Sequence, residues 1–278
     1  MPKYPKLAPI SGAPLSVILL DPEPGSQDAV VASWKEYLTG RNVEHEILTI
    51  TGSSPGSMLQ AGLQQARFPL IAYAPCRPEY RPDDLGSMLD RPFLHGENPE
   101  DPPSKEMDHV HLISAFRAGV PVPWVFRATG WIYRQICWVL LGYSPQPLPG
   151  WLGWKRMLGS WLVRLVFGVQ YQDTTCPFRL VRKEILSRIP IQSTSSFAHA
   201  ELAAKANFLG CLLGEAHPVR VKPEPFRHGL VTAWRDAREL FRNPDFGPIF
   251  LPAASPDPVA SPEGVSTVDN QDGTGHVS

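Results

Sequence analysis

Short apolar runs alternate with amphipathic segments through the first 115 residues, and that alternation leaves few architectures open. Ser16-Val-Ile-Leu-Leu20, Glu46-Ile-Leu-Thr-Ile50 and Pro69-Leu-Ile-Ala-Tyr73 have the length and character of buried strands. Between them, residues 27–38 place Val30, Val31, Trp34 and Leu38 at helical spacing ahead of Gly40. Residues 58–66 and 83–89 continue the helical pattern, the latter opened by Pro82. Strand and helix in alternation predict an α/β fold with a mostly parallel, doubly wound sheet flanked by helices. A polar, proline-containing loop over 91–106 leads to a strand at 109–114. Further on come a strand at 178–181, a short helix at 183–188, a longer helix at 198–209 stopped by Gly210, and an amphipathic helix at 234–241.

Charge is distributed unevenly. Residues 117–188 hold ten basic side chains against Asp173 and Glu184, +8 in a chain whose formal net charge is -1, so the remainder carries −9. Such a concentration implies an anionic partner: a phosphate, a nucleic acid or an acidic membrane surface. Six of the eight tryptophans (Trp124, Trp131, Trp138, Trp151, Trp154 and Trp161) fall within residues 121–171. The apolar runs there are shorter than the roughly 20 residues needed to cross a bilayer. Three readings of this segment stay open: binding at a membrane interface, stacking on nucleic acid, and a buried subdomain with snorkelling arginines. Cys76, Cys137, Cys176 and Cys211 show no metal or redox spacing and read as free thiols in a reducing compartment. The N-terminus lacks the apolar stretch of a secretory signal.

The chemistry-bearing residues cluster after this segment. Asp173-Thr-Thr-Cys-Pro-Phe-Arg179 joins an acid, a turn and an arginine-bearing strand, and Glu201 follows on a helix with His199 just before it. Together with the order of elements, this cassette resembles family 2 glycosyltransferases of the GT-A fold, a Rossmann-like α/β fold, and most of all the dolichyl-phosphate mannose synthase group. The likeness covers residues 15–226. It implies a nucleotide-sugar donor, a lipid-phosphate or saccharide acceptor, and an anionic membrane surface met by the Trp/Arg segment from the cytoplasmic side. In that family Asp173 and Glu201 would be catalytic, whereas Arg117, Arg179, Gly52 and Ser53 would bind substrate. Lipid phosphate is already ionised, so transfer to it needs little help from a base. Each residue also has a plain structural alternative: an Asp173–Arg179 pair pinning its loop, a Glu201–Lys205 pair at i,i+4, and a solvated Arg117.

The donor half departs from the family pattern. The first strand ends in Asp21-Pro-Glu-Pro, the second keeps Gly52 and Ser53 without acids, and Ala74 and Cys76 stand where two metal-binding acids are expected. Neither side chain suits Mg²⁺ or Mn²⁺, which take oxygen ligands. His109 and His111 point to one strand face with Asp108 adjoining, and two histidines without a third clear ligand are weak evidence for a replacement metal. The resemblance therefore implies a metal-independent or donor-altered glycosyltransferase. The alternative is a catalytically silent relative that binds lipid, saccharide or protein. A nucleic-acid module is a distant third. Residues 1–14 read as an extension, 15–242 as the GT-A domain and 243–278 as a disordered tail.

Overall fold

The computed structural model describes residues 10, 12–90, 93–94, 110–116, 131, 135, 139, 167–169, 171, 173–186, 188–216 and 230–247. Three strands open the chain: β1 (Leu15–Leu20), β2 (His45–Ile50) and β3 (Leu70–Pro75), separated by α1 (Gln27–Gly40) and α2 (Pro55–Gln65). Then follow α3 (Pro82–Asp90), β4 (Phe93–Leu94), β5 (Leu112–Ser114), β6 (Arg179–Arg182), α4 (Lys183–Leu186), α5 (Phe197–Phe208), β7 (Leu213–Glu215) and α6 (Leu230–Arg242). The strands form one sheet in the order β2-β1-β3-β6-β5-β7-β4. β1 pairs parallel with β2 and β3, and β5 parallel with β7, while β6 runs antiparallel between β3 and β5 and β4 antiparallel to β7. Five strands thus share one direction, as the α/β pattern predicted, with β6 and β4 opposed.

Strand parity divides the core. Leu15, Val17, Leu19, Leu70, Ala72 and Ala74 face α1 (Val30, Trp34, Leu38) and α3 (Leu85, Met88). Ile18, Leu20, Ile71 and Tyr73 face α2 (Met58, Leu59) and the alanine-rich α5. The sheet is therefore covered on both sides, which is why its strands read as continuous apolar runs. α2 begins earlier than residue 58 because the Ser54 hydroxyl caps it, accepting from Ser57 N–H at 3.4 Å, with Pro55 in the first turn. Gly210, at φ +71, ends α5 as expected. After α6, Asn243 N–H donates to Glu239 O, and Asp245 N–H to the Gln192 side chain at 3.0 Å. Residues 248–278 lie outside the described residues.

The N-terminal ends of the parallel strands are knotted by one carboxylate. Glu46 accepts from Ser16 Oγ (2.6 Å), Arg67 N–H (2.6 Å) and Arg67 Nε (2.8 Å), and Ser16 Oγ accepts from Phe68 N–H. Burial opposes ionisation of Glu46, but the Ser16 and Arg67 donors outweigh it and hold the carboxyl below its ordinary value. A folded pKa below the unfolded one stabilises the fold above the unfolded value, and the gain disappears as pH falls through the folded one. Glu46→Gln is therefore expected to be less stable than the parent at neutral pH, with the gap closing on acidification through the carboxylate range. Urea unfolding of both proteins across that range checks it, and a pH-independent gap would contradict it.

Candidate functional site

From β1 the chain crosses by α1 to β2 at the edge of the sheet, then returns by α2 on the opposite face to β3 on the other side of β1. The helices that follow β1 and β3, α1 and α3, pack together on one face of the sheet, and a crevice lies between α1 and the turn that carries the chain from β3 into α3. A cavity of about 590 Å³ lies here, lined by Ser26, Ser33, Trp34 and Tyr37 of α1 and by Arg77 and Arg81 of the β3–α3 turn. Asp21 caps β1 with φ +50, a left-handed conformation that aspartate tolerates. Its carboxylate lies 3.6 Å from Arg77 Nη2. The Arg77 backbone N–H turns back on Pro75 O at 2.9 Å, taking the chain out of strand parity.

That turn decides which side chains reach the crevice. Ala74 and Cys76 are each 0% exposed and lie in the core beneath α1 and α3, where burial pushes the Cys76 thiol up. The positions matched with metal-binding acids are thus packed into the core, and Arg77, in the turn after β3, lines the cavity. A core-facing alanine and thiol beside a fixed cation do not fit a divalent ion. Among the described residues no group of three or more His, Cys, Asp or Glu is placed to hold one. His111 Nδ1 accepts from Leu212 N–H at 3.1 Å, while Asp108 and His109 lie outside the described residues.

Gly52 and Ser53 are exposed at the end of β2. The helix that follows does not offer its first turn freely: Gly56 N–H donates to Thr194 O at 2.9 Å. A Cβ at Gly56 would stand 2.0 Å from Ser193 O, so the backbones of α2 and of residues 190–196 touch directly.

The downstream residues form an internal framework. Register sets Arg179 opposite both Tyr73 and Ser114, at the sheet edge that bears the crevice. Its side chain is 0% exposed and donates from Nε to Cys176 O (3.1 Å), from Nη2 to Thr174 O (2.5 Å) and from Nη1 to His199 O (2.5 Å). It also lies over the Tyr171 ring. Asp173, likewise buried, accepts at Oδ1 from Thr175 N–H (3.1 Å) and Thr175 Oγ1 (3.0 Å), closing the turn that Arg179 clamps. Arg179 thereby joins the Asp173 turn to the start of α5. There the His199 ring stacks on Tyr73, whose phenol is pushed up to about 12 by burial, with Arg179 partly offsetting it.

Glu201 is also 0% exposed. Its two oxygens accept from Gln192 N–H and Ser193 N–H, each at 2.8 Å, and Lys205 Nζ lies 2.6 Å from Oε1. Lys205 also donates to Pro190 O, and Gln60 Nε2 to Ile191 O. The Asp236 carboxylate accepts from Thr194 and Ser195 N–H. Residues 190–195 are held from every side, and Glu201 is one of the clamps, as the i,i+4 spacing to Lys205 allowed. Arg117 lies outside the described residues. Of residues 121–171, the described Trp131, Gln135 and Val139 are helical and exposed.

Cys76, Cys176 and Cys211 are free thiols, and burial pushes Cys211 up to about 11. No helix among the described residues is long and apolar enough to cross a membrane.

Solved structures similar to this chain include glucosyl-3-phosphoglycerate synthase from Mycobacterium tuberculosis in complex with Mn²⁺, UDP-glucose and phosphoglyceric acid. It shares 12% identity over 83% of this chain and 78% of that one, with a TM-score of 0.47. Mannosyl-3-phosphoglycerate synthase from Rubrobacter xylanophilus shares 11% identity over 87% and 78%, with a TM-score of 0.49. No protein-family model and no curated protein matches the chain.

Proposed function

We propose that the chain is a glycosyltransferase-like protein that binds a nucleotide sugar in the crevice between α1 and the β3–α3 turn, with Arg77 meeting the diphosphate where family 2 glycosyltransferases place a metal ion. The observation that carries this reading is a guanidinium in the turn after β3, lining the cavity beside α1, with the neighbouring Ala74 and Cys76 turned into the core. In transfer, an acceptor oxygen bonds to the anomeric carbon while the bond from that carbon to the diphosphate breaks. The nucleoside diphosphate leaves with the electron pair and needs its growing charge met. A guanidinium does this with a planar fork of donors and no proton transfer. Half-buried Tyr37 gives the cavity an aromatic surface against which a base can pack. A lipid phosphate or a saccharide hydroxyl is the acceptor; the former arrives ionised, and the latter releases its proton on attack.

Calorimetric titration with UDP- and GDP-sugars, in Mn²⁺ and in EDTA, tests the assignment. Binding is expected in both, and Arg77→Ala is expected to weaken it about 10- to 100-fold, the loss of a hydrogen bond to a charged group. Absence of binding under either condition would sink the reading, and binding seen only with Mn²⁺ would remove Arg77 from its role. A silent relative is the second reading, favoured by one observation: both Glu201 oxygens are taken by the chain itself. It predicts binding of lipid, saccharide or protein, and no transfer to any acceptor.

A further inference from the structure

Helix α6 turns to solvent a face that no described residue covers. Its inner side is fixed by Asp236 on the backbone of 194–195 and by buried Leu240. Past its last turn, Gln192 Nε2 donates to Asn243 O at 3.1 Å. At roughly 100° per residue, the outward arc carries Trp234, Arg235, Arg238, Phe241 and Arg242, with Glu239 at its margin. Trp234 is 64% exposed and Phe241, two turns on, 70%. The three arginines are exposed and make no ion pair with a described residue. Near the same end, Phe208 (58%) and Leu209 (44%) are exposed too, the Phe208 ring meeting Phe246. Isolated apolar residues on a surface need no explanation, but two large aromatics on one helical face flanked by three cations form a pattern.

We propose that this face docks on an anionic lipid bilayer, with α6 lying in the interface plane, Trp234 and Phe241 among the headgroups, and Arg235, Arg238 and Arg242 on lipid phosphates. The chemistry is that of an interfacial amphipathic helix: aromatic bodies supply buried apolar area, and basic residues beside them are drawn to anionic lipid. Cohesion of α6 with the core makes the face a rigid platform that need not fold on arrival. Nucleic acid, the other polyanion, is met by grooves that follow its backbone and stack its bases, whereas this is the convex side of one helix. Nothing in the docking depends on a nucleotide in the crevice.

The test is co-sedimentation of the full chain with phosphatidylcholine vesicles, with and without phosphatidylglycerol, at low and high salt. Binding is expected only with phosphatidylglycerol and is weakened by salt. Trp234→Ala with Phe241→Ala should lower partitioning about tenfold. Replacing the three arginines with glutamine should lower it roughly 100-fold, at about fivefold each. Circular dichroism and nucleotide affinity should stay those of the parent, because every substituted side chain is exposed. Equal binding to neutral vesicles, no binding, or unchanged binding by the variants overturns the proposal. So does a dimer that Trp234→Ala dissociates, which assigns the face to a second copy, or RNA retention lost in the arginine variant without vesicle binding.

Discussion

Glu201→Ala is expected to remove about 3–5 kcal/mol of folding stability, the cost of leaving one partner of a buried ion pair uncompensated. Three donors lose their acceptor at once: Lys205 Nζ, at 1% side-chain exposure, and the N–H groups of Gln192 and Ser193. Lys205 keeps Pro190 O and the Gln192 side chain, so its charge stays buried on neutral acceptors alone. The damage spreads along a defined path, since Gly56 N–H rests on Thr194 O in the same segment. For a domain whose whole stability is about 5–15 kcal/mol, that is a large fraction. Urea unfolding measures it, and Lys205→Met in the Glu201→Ala background should recover part of the loss by removing the orphaned ammonium. If Glu201 were instead a base placed for catalysis, Glu201→Gln would keep the stability and abolish transfer. Unchanged stability in both Glu201 variants would refute the clamp.

The covering of the sheet was legible in the sequence because it is a matter of local period. Leu15, Val17 and Leu19 against Ile18 and Leu20 put apolar groups on both faces of β1, and Val30, Trp34 and Leu38 mark one stripe of α1. β7 was not legible: three residues with glycine at the centre become a strand only because β5 lies alongside. β4, two residues within a proline-containing loop, depends likewise on β7. The crevice was hidden for another reason. Its walls come from α1 and from the turn that carries Arg77, far apart in sequence, and only the packing of α1 and α3 on one face of the sheet brings them together. Motif matching pointed to Ala74 and Cys76, but parity along β3 sends both into the core, and the backbone turn after Pro75 delivers Arg77 instead. The burial of Arg179 ran against the usual exposure of arginine, and a surplus of carbonyl acceptors around it accounts for that.

Those carbonyls set the second large effect. Arg179→Ala leaves Thr174 O, Cys176 O and His199 O without their shared donor and opens a void against Tyr171. At about 1–3 kcal/mol for each buried group left unsatisfied, with water recovering part, a loss on the order of 4 kcal/mol is expected. Lysine is not a remedy, because one ammonium on a flexible stem cannot span three acceptors held by a planar fork. Arg179→Lys should therefore lose most of the same stability while keeping the charge. The two roles weighed for this residue separate cleanly on that variant. A clamp predicts a lowered thermal midpoint, faster proteolysis within 173–178, and nucleotide affinity in the crevice beside α1 little changed at temperatures where the protein stays folded. A phosphate ligand predicts the reverse: an unshifted midpoint and a loss of affinity. The first outcome would leave the charge on the donor to Arg77, and the Asp173 turn would belong to the walls of the site rather than to its chemistry.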